Sequence, residues 1–195
     1  MRSLDKTDIV LASASPRRRE LLSVLIGDFR VAPSTFDEER VPPELAPAEH
    51  VAYSARMKML DAACACPKSI VIGADTVVVV DGAILGKPSD ESDAARMLRA
   101  LSGKTHQVYT GIAAARDGVE TSGFECTDVT FCVLDEDTIS RYVATGEPMD
   151  KAGAYAIQGK GGVFVTRVDG CYFNVVGLPL HRLSLILSEF GIRIP

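Results

Sequence analysis

Apolar positions along the chain follow two alternating rhythms, one with the period of a strand and one with the period of a helix. Ile9-Val10-Leu11-Ala12 forms a short continuous apolar run that predicts a first strand. SPRRRELLSVL follows it, with Ser15 placed as N-cap, Pro16 at the first helical position and Leu21, Leu22 and Leu25 behind, which predicts a helix. After an extended stretch around FRVAPSTFDEER, residues 47–63 return to helical spacing, with Val51, Ala55, Met59 and Ala62 on one face.

SIVIGADTVVVV reads as a strand, and Asp81-Gly82 is a two-residue hairpin turn, so AILG is expected to pair back on it. DESDAARMLRALSG has acids in its first turn, apolar Ala94, Met97, Leu98 and Leu101, and Gly103 past its end, the signs of a helix. HQVYTGIAAA and FECTDVTFCVL read as long antiparallel strands joined through Arg116-Asp117-Gly118. A helix is expected at DEDTISRYVATG, ending near Gly146 and Pro148. Residues 163–176 read as a hairpin around Asp169-Gly170, and PLHRLSLILSEF as a closing amphipathic helix with Leu180, Leu183 and Leu187 inward.

Strands and helices that alternate, with hairpins among them, predict an α/β fold built on a mixed central sheet with flanking helices. No linker rich in Pro, Gly or Ser interrupts the chain, so residues 1–195 are expected to form a single domain. The leading MRSLDKTD reads as a loose tail.

Composition narrows the class. A chain of 195 residues, 47% hydrophobic and 24% charged, carries enough apolar surface for a real core. Its formal net charge of -5 disfavours sequence-independent attachment to nucleic acid or to an anionic membrane, so an anionic ligand has to be met by local basic residues. Five cysteines, at 64, 66, 126, 132 and 171, are odd in number and form no CxxC pair, which fits a cytoplasmic protein with reduced thiols better than a disulfide framework or a zinc site. The first residues lack the apolar core of a signal peptide, and no stretch approaches the roughly 18 to 20 apolar residues that cross a bilayer. A soluble protein is expected.

Several residues carry candidate chemistry. Arg17, Arg18 and Arg19 stand in the first turn of a helix, where the dipole disfavours cations by about 0.3 to 1 kcal/mol each. An anion held by free backbone N–H groups and guanidinium forks would offset that cost, and a solvated basic turn is the alternative. Ser13 and Ser15 could add hydroxyl donors, although capping by Ser15 is sufficient explanation for one of them.

Asp75 interrupts a valine-rich strand, where burial of a carboxylate costs several kcal/mol unless a cation lies beside it. The alternative is a bulge that returns it to water. Lys58 lies seven residues after Val51 on an otherwise apolar helix face, as a snorkelling residue or a cation for the interior. Lys87 in LGKP stands where Pro88 stops a strand, and Glu38 is one acid in the charged loop FDEER. The glycines of IQGKGG could bring backbone N–H groups and Gln158 close to a ligand, or serve a tight connection. Gly103-Lys104-Thr105 imitates the end of a phosphate-binding P-loop, but Leu98 replaces its first glycine and the segment ends a helix instead of starting one. His50, His106 and His181 form no HExxH, and GxSxG is absent.

Taken together and in order, ASASPRRRELL, FDE, the spacing of Arg56 and Lys58, GADTVV, LGKP, LSGKTHQVYT, EPMDKAGAYAIQG and NVVGLPL resemble the Maf family of nucleotide pyrophosphatases over nearly the whole chain. The resemblance implies a fold of the Maf and Ham1 type, like inosine triphosphate pyrophosphatases, with a mixed sheet and a deep cleft between two lobes. It implies cleavage of a nucleoside triphosphate between the α and β phosphates. Carried over by motif, Ser13 and Arg18 hold phosphate, Glu38 and Asp75 work with a divalent metal cation and water, Lys58 and Lys87 neutralise the triphosphate, and Asp75 is the general base. Mg²⁺ or Mn²⁺ is the expected ion, since carboxylate oxygens suit both.

Arg17, Thr76 and Gln158 occupy the three places at which the dTTP- and UTP-hydrolysing subgroup of that family differs from the subgroup for 7-methyl-GTP. The implied substrates are therefore dTTP and UTP, with modified pyrimidine nucleotides as further ones, and a purine substrate is the alternative within the family. A noncatalytic nucleotide sensor acting in arrest of cell division is a second reading, and nucleic-acid binding through the arginine cluster a third. A homodimer matches what such families often show, yet no stripe of the sequence demands one.

Overall fold

The structure, a computed structural model, describes residues 9–194; the MRSLDKTD tail lies outside the described residues. In chain order the elements are β1 (Ile9–Leu11), α1 (Pro16–Leu25), β2 (Arg30–Val31), α2 (Pro47–Ala63), β3 (Ile70–Val80), β4 (Ala83–Leu85), α3 (Glu91–Leu101), β5 (Thr105–Arg116), β6 (Val119–Phe131), α4 (Glu136–Val143), β7 (Val165–Asp169), α5 (Tyr172–Val176) and α6 (Leu180–Glu189). The seven strands form one mixed sheet in the order β2-β1-β3-β5-β6-β7, with β4 paired to β3. β1 runs parallel to both β2 and β3, whereas the β3–β4 and β6–β7 pairs are antiparallel.

By its internal contacts the chain divides into two compact units. The first comprises the described residues up to Asp75, Thr110–Glu125 and the chain from Gly177 on, and the second comprises Thr76–Tyr109 and Cys126–Val176. The first unit packs the predicted face of α2, Ala55, Met59 and Ala62, against Val10, Val71, Ala113 and Ala115 of the sheet. Two glycines let that helix close in. A Cβ on Gly73 would stand 2.2 Å from the Ala55 carbonyl oxygen, and one on Gly111 would stand 2.2 Å from that of Val51. Both strands thus present bare backbone to α2, one helical turn apart.

The second unit buries Met97, Leu98 and Leu101 of α3 with Val78, Val108, Phe131, Ile139 and Phe164. Its aromatic rings meet edge to face, Phe131 against Tyr155 at 4.8 Å and Tyr142 against Phe164 at 4.9 Å between centroids. His106 is enclosed there, 1% exposed, with Nε2 2.9 Å from the Tyr155 hydroxyl, and burial pushes its pKa down to about 4. A histidine so placed is neutral.

The Asp81-Gly82 and Asp117-Gly118 turns adopt positive φ at both residues, as two-residue hairpins with the right twist require. Asp169-Gly170 differs. Only Gly170 has positive φ there, and residues 172–176 form α5 in place of a returning strand. The edge of β7 is paired by β6 instead, with Asp128 opposite Asp169 and Val129 opposite Val168. Asn174 fixes the helical alternative: its fully buried amide donates to Val108 O at 2.8 Å and to Thr127 Oγ1 at 2.9 Å. β6 also starts earlier than its apolar pattern indicates, at Val119, because the polar residues that open it are still paired in the sheet.

All five cysteines are free thiols. Among the described residues no helix is long and apolar enough to cross a membrane.

Candidate active site

In a strand, alternate side chains share a face, so Asp75 lies on the same face of β3 as Gly73. Gly73 admits the backbone of α2, and the next helix residue to look at that face is Lys58. Its Nζ lies 2.6 Å from Asp75 Oδ1 and 2.6 Å from Glu38 Oε1. Lys58 and Asp75 are 8% and 6% exposed, so this ammonium does not snorkel to water and the carboxylate is not returned to solvent by a bulge. Glu38 reaches inward from a 3₁₀ turn over Glu38–Arg40, capped by the Asp37 side chain on Glu39 N. Its own side chain keeps half its surface in water.

Burial alone would push the Asp75 carboxyl up, but the charges of Lys58 and Arg18 and the Lys58 hydrogen bond outweigh it and hold the group below the ordinary carboxylate range. Asp75 is therefore an anion at neutral pH. Burial lowers Arg18, and the charges of Asp75 and Glu38 oppose that lowering.

Ser15 caps α1 as expected, accepting from Arg18 N at 3.4 Å. The Arg18 guanidinium folds back over the helix start: Nε donates to Gly177 O at 2.9 Å, and Nη1 to Ala74 O at 3.0 Å and to Ser13 Oγ at 3.4 Å. Ser13, buried, also accepts from Ser15 N at 3.2 Å. Ser13, Arg18, Glu38, Lys58 and Asp75 are thus brought together in the first unit by hydrogen bonds and charge. Arg17 is half-buried and Arg19 exposed on α1.

One residue that the sequence reading missed organises this neighbourhood. Asp61, one turn beyond Lys58 on α2, accepts from Ser34 Oγ at 2.8 Å and from Thr35 N at 2.6 Å, with Thr35 Oγ1 3.2 Å away. These hydrogen bonds, that of Ser34 foremost, hold its carboxyl below the ordinary range. They pin the loop that leads into Glu38 to the helix that carries Lys58. No sequence signal marks Asp61, which reads as an ordinary polar residue of an amphipathic helix.

The remaining predicted residues belong to the second unit. Thr76 follows Asp75 along β3 and is half-buried. Lys87 is exposed after β4, beside the buried Pro88, where Gly86 O accepts from Gly153 N at 3.0 Å. Gln158 is exposed in a turn just before the 3₁₀ segment Lys160–Phe164. Of the two uses that the sequence left open for that glycine cluster, its N–H groups serve the tight connection. Lys160 N and Gly161 N both donate to the Glu147 carboxylate, at 3.0 Å each.

The two carboxylate oxygens that converge here meet at the Lys58 ammonium, and carboxylate oxygen is the donor type that divalent ions such as Mg²⁺ take. Among the described residues no group of three or more His, Cys, Asp or Glu is placed to hold a metal ion.

The family model described as Maf-like protein matches residues 8–190. The chain belongs to the Maf family. Maf-family relatives support the assignment over nearly the whole chain. The chain is 48% identical to the dTTP/UTP pyrophosphatase of Bacillus pumilus over 184 residues, which cover 94% of this chain and 97% of that one. It is 51% identical to the dTTP/UTP pyrophosphatase of Pelotomaculum thermopropionicum over 190 residues, 96% of this chain and 98% of the relative. Among solved structures, a HAM1 protein from Coxiella burnetii superposes with a TM-score of 0.50 at 17% identity, covering 94% of this Maf-family chain and 99% of the other. That likeness is one of fold.

Proposed function

We propose that this chain is a nucleoside triphosphate pyrophosphatase that hydrolyses dTTP and UTP to the nucleoside monophosphate and pyrophosphate. The observation that carries the reading is the Lys58 ammonium set between the Asp75 and Glu38 carboxylates, at 2.6 Å from each. A buried acid and base pair of this kind has no packing value that apolar residues would not match. It has a clear use if anionic oxygens and a cation enter the site.

Water attacks the α-phosphorus in line, a new P–O bond forms, and the bond from the α-phosphorus to the bridging oxygen breaks to release pyrophosphate. Asp75 takes the proton of the attacking water. Lys58, drawn towards the phosphate chain, loosens from Asp75 and leaves a stronger base behind. Arg18 and Ser13 hold phosphate oxygens against the start of α1. Glu38 and Asp75 would hold a divalent cation, Mg²⁺ or Mn²⁺, which supplies charge neutralisation on the phosphate oxygens. For Lys87 we adopt the family role of neutralising the triphosphate, and for Arg17, Thr76 and Gln158 that of choosing the base. An amide such as Gln158 both donates and accepts, which suits the imide edge of thymine or uracil. Five free thiols support a reducing, cytoplasmic setting.

The direct test follows products from dTTP, UTP, CTP, GTP and ATP with Mg²⁺ or Mn²⁺ by anion-exchange chromatography. Monophosphate and pyrophosphate are expected, fastest from dTTP and UTP. Release of inorganic phosphate in place of pyrophosphate would overturn the reaction, and equal or faster turnover of a purine nucleotide would overturn the substrate. Binding of dTTP with no product at all would favour the sensor reading.

A further inference from the structure

The EPMDKAGAYAIQG segment contains an anchor that none of the roles above uses. Glu147 Oε1 accepts from the Tyr142 hydroxyl at 2.8 Å and from Gly161 N at 3.0 Å, while Oε2 accepts from Lys160 N at 3.0 Å. The Tyr142 oxygen in turn accepts from Ala156 N at 3.1 Å. Two side chains thus grip the backbone on both sides of Gln158, at Ala156 before it and at Lys160 and Gly161 after it.

The turn between these grips is built to fit them. A Cβ on Gly159 would lie 2.5 Å from Glu147 Oε1, and one on Gly161 would lie 2.6 Å from the Tyr142 hydroxyl. A side chain at either position would therefore push the anchoring carboxylate or hydroxyl out of place. The anchor is itself fixed: the Tyr142 ring is 5% exposed and packs edge to face on Phe164, and Glu147 N donates to Thr145 Oγ1 at 3.2 Å just after Gly146 in the left-handed region. Gln158 is left as the exposed polar side chain of a short turn held at both ends.

We propose that Tyr142 and Glu147 are positioning residues for base selection, which hold the Gln158 amide in the orientation that distinguishes uracil from cytosine. The proposal rests on the reading that Gln158 meets the base. Physical chemistry explains why holding matters. A carboxamide can present its oxygen to the N3–H of uracil and its NH₂ to O4, or turn over and suit the reversed pattern of cytosine. Selection therefore depends on how firmly the backbone beneath the amide is placed, since a looser turn lets the side chain satisfy either base. Phosphate chemistry, carried by other residues, does not depend on that choice.

A carboxylate is the group this position needs. It accepts at both oxygens, whereas the amide of Glu147→Gln would aim an NH₂ at one of the two backbone N–H donors. Tyr142→Phe keeps the ring against Phe164 and removes only the oxygen that links Ala156 to Glu147, so it tests the anchor with the least risk to folding.

The experiment measures kcat/KM for UTP and CTP in the full chain, in Y142F, E147Q and Q158A, and in Y142F combined with Q158A. The anchor predicts that Y142F and E147Q each lower the UTP to CTP preference roughly three- to tenfold, the effect expected when one polar contact to the base loses its placement. Adding Y142F to Q158A should lower it no further, because the first substitution acts only through the second residue. If Q158A changes the preference but Y142F and E147Q slow both substrates equally, the anchor is merely structural and the proposal falls. If Q158A leaves the preference intact, the reading of Gln158 falls and the anchor's role falls with it. An E147Q chain that does not fold leaves the decision to Y142F.

Discussion

Lys58 Nζ stands 2.6 Å from Asp75 Oδ1 deep in the first unit, so the residue proposed as base is held as an anion by the residue proposed to neutralise substrate. The same ammonium sits 2.6 Å from Glu38. A carboxylate whose proton affinity is depressed in this way is a poor base until its partner turns elsewhere. Triphosphate oxygens offer Lys58 another anion, which couples arrival of substrate to activation of Asp75.

Lys58→Met should therefore shift the acid limb of the kcat/KM profile to higher pH. Removing the ammonium takes away the foremost lowering influence on Asp75, so that burial, which raises it, is opposed only by the Arg18 charge and the Ser54 hydroxyl. The rate should fall as well, since neutralisation of substrate is lost. An acid limb that stays in place while the rate drops would show that Asp75 is not the group titrating. As a control, Asp75→Asn should cost about 10² to 10⁴ in kcat with the limb abolished.

Gly73→Ala tests how the site is assembled. Its Cβ would stand 2.2 Å from Ala55 O and 2.7 Å from Met59 N, both backbone atoms that cannot step aside without moving α2. Overpacking of this kind costs about 1 to 3 kcal/mol. Urea unfolding should register that loss, and activity should drop further because Lys58 moves away with the helix. A stable and fully active variant would mean that close approach of α2 is dispensable.

Asp61→Ala should loosen the loop leading to Glu38 without touching substrate. A loss of roughly 10- to 100-fold in activity or in metal affinity is usual when an orienting partner is removed. Titration of Mn²⁺ followed by its paramagnetic signal separates the two. Asp61→Asn keeps an acceptor for Thr35 N and should recover part of the effect; identical behaviour of the two variants would argue against orientation.

His106 predicts a pH dependence of stability in the neutral to acid range. Its pKa is about 4 in the folded protein against an ordinary 6.5, so the unfolded chain binds a proton that the folded one refuses. The contribution is complete above pH 6.5 and is lost as pH falls towards 4, amounting to roughly 3 kcal/mol over that window. Denaturation midpoints of the parent chain and of His106→Leu, measured from pH 7 to 4, should converge as pH falls. The variant should be the less stable at pH 7, because the Tyr155 hydroxyl loses its partner, and parallel curves would exclude a buried neutral histidine.

Local chemistry was legible in the residues because local forces decide it. The Asp-Gly pairs at 81 and 117 specify hairpins through a positive φ that neighbouring strands favour, and the α2 face, Val51, Ala55, Met59 and Ala62, announces which side is buried. Asp75 stood out too, since an acid among valines needs either a cation nearby or a bulge that returns it to water.

What the order of residues alone could not decide were interactions between segments far apart in the chain. A third Asp-Gly pair led into a helix because Asn174 found Val108 and Thr127, respectively 66 and 47 residues away in sequence. Within IQGKGG, Lys160 and Gly161 spend their N–H groups on Glu147, a carboxylate 14 residues earlier than Gly161, and Gly159 and Gly162 spend theirs on the carbonyls of Ala156 and Gly159. Lys58 by itself reads first as a snorkelling residue, and becomes an interior cation only because Gly73 lets α2 close on β3. Periodicity and turn preference act over a few residues and are written in the sequence; the partner of a buried polar group depends on which surfaces meet, and only the folded chain settles that.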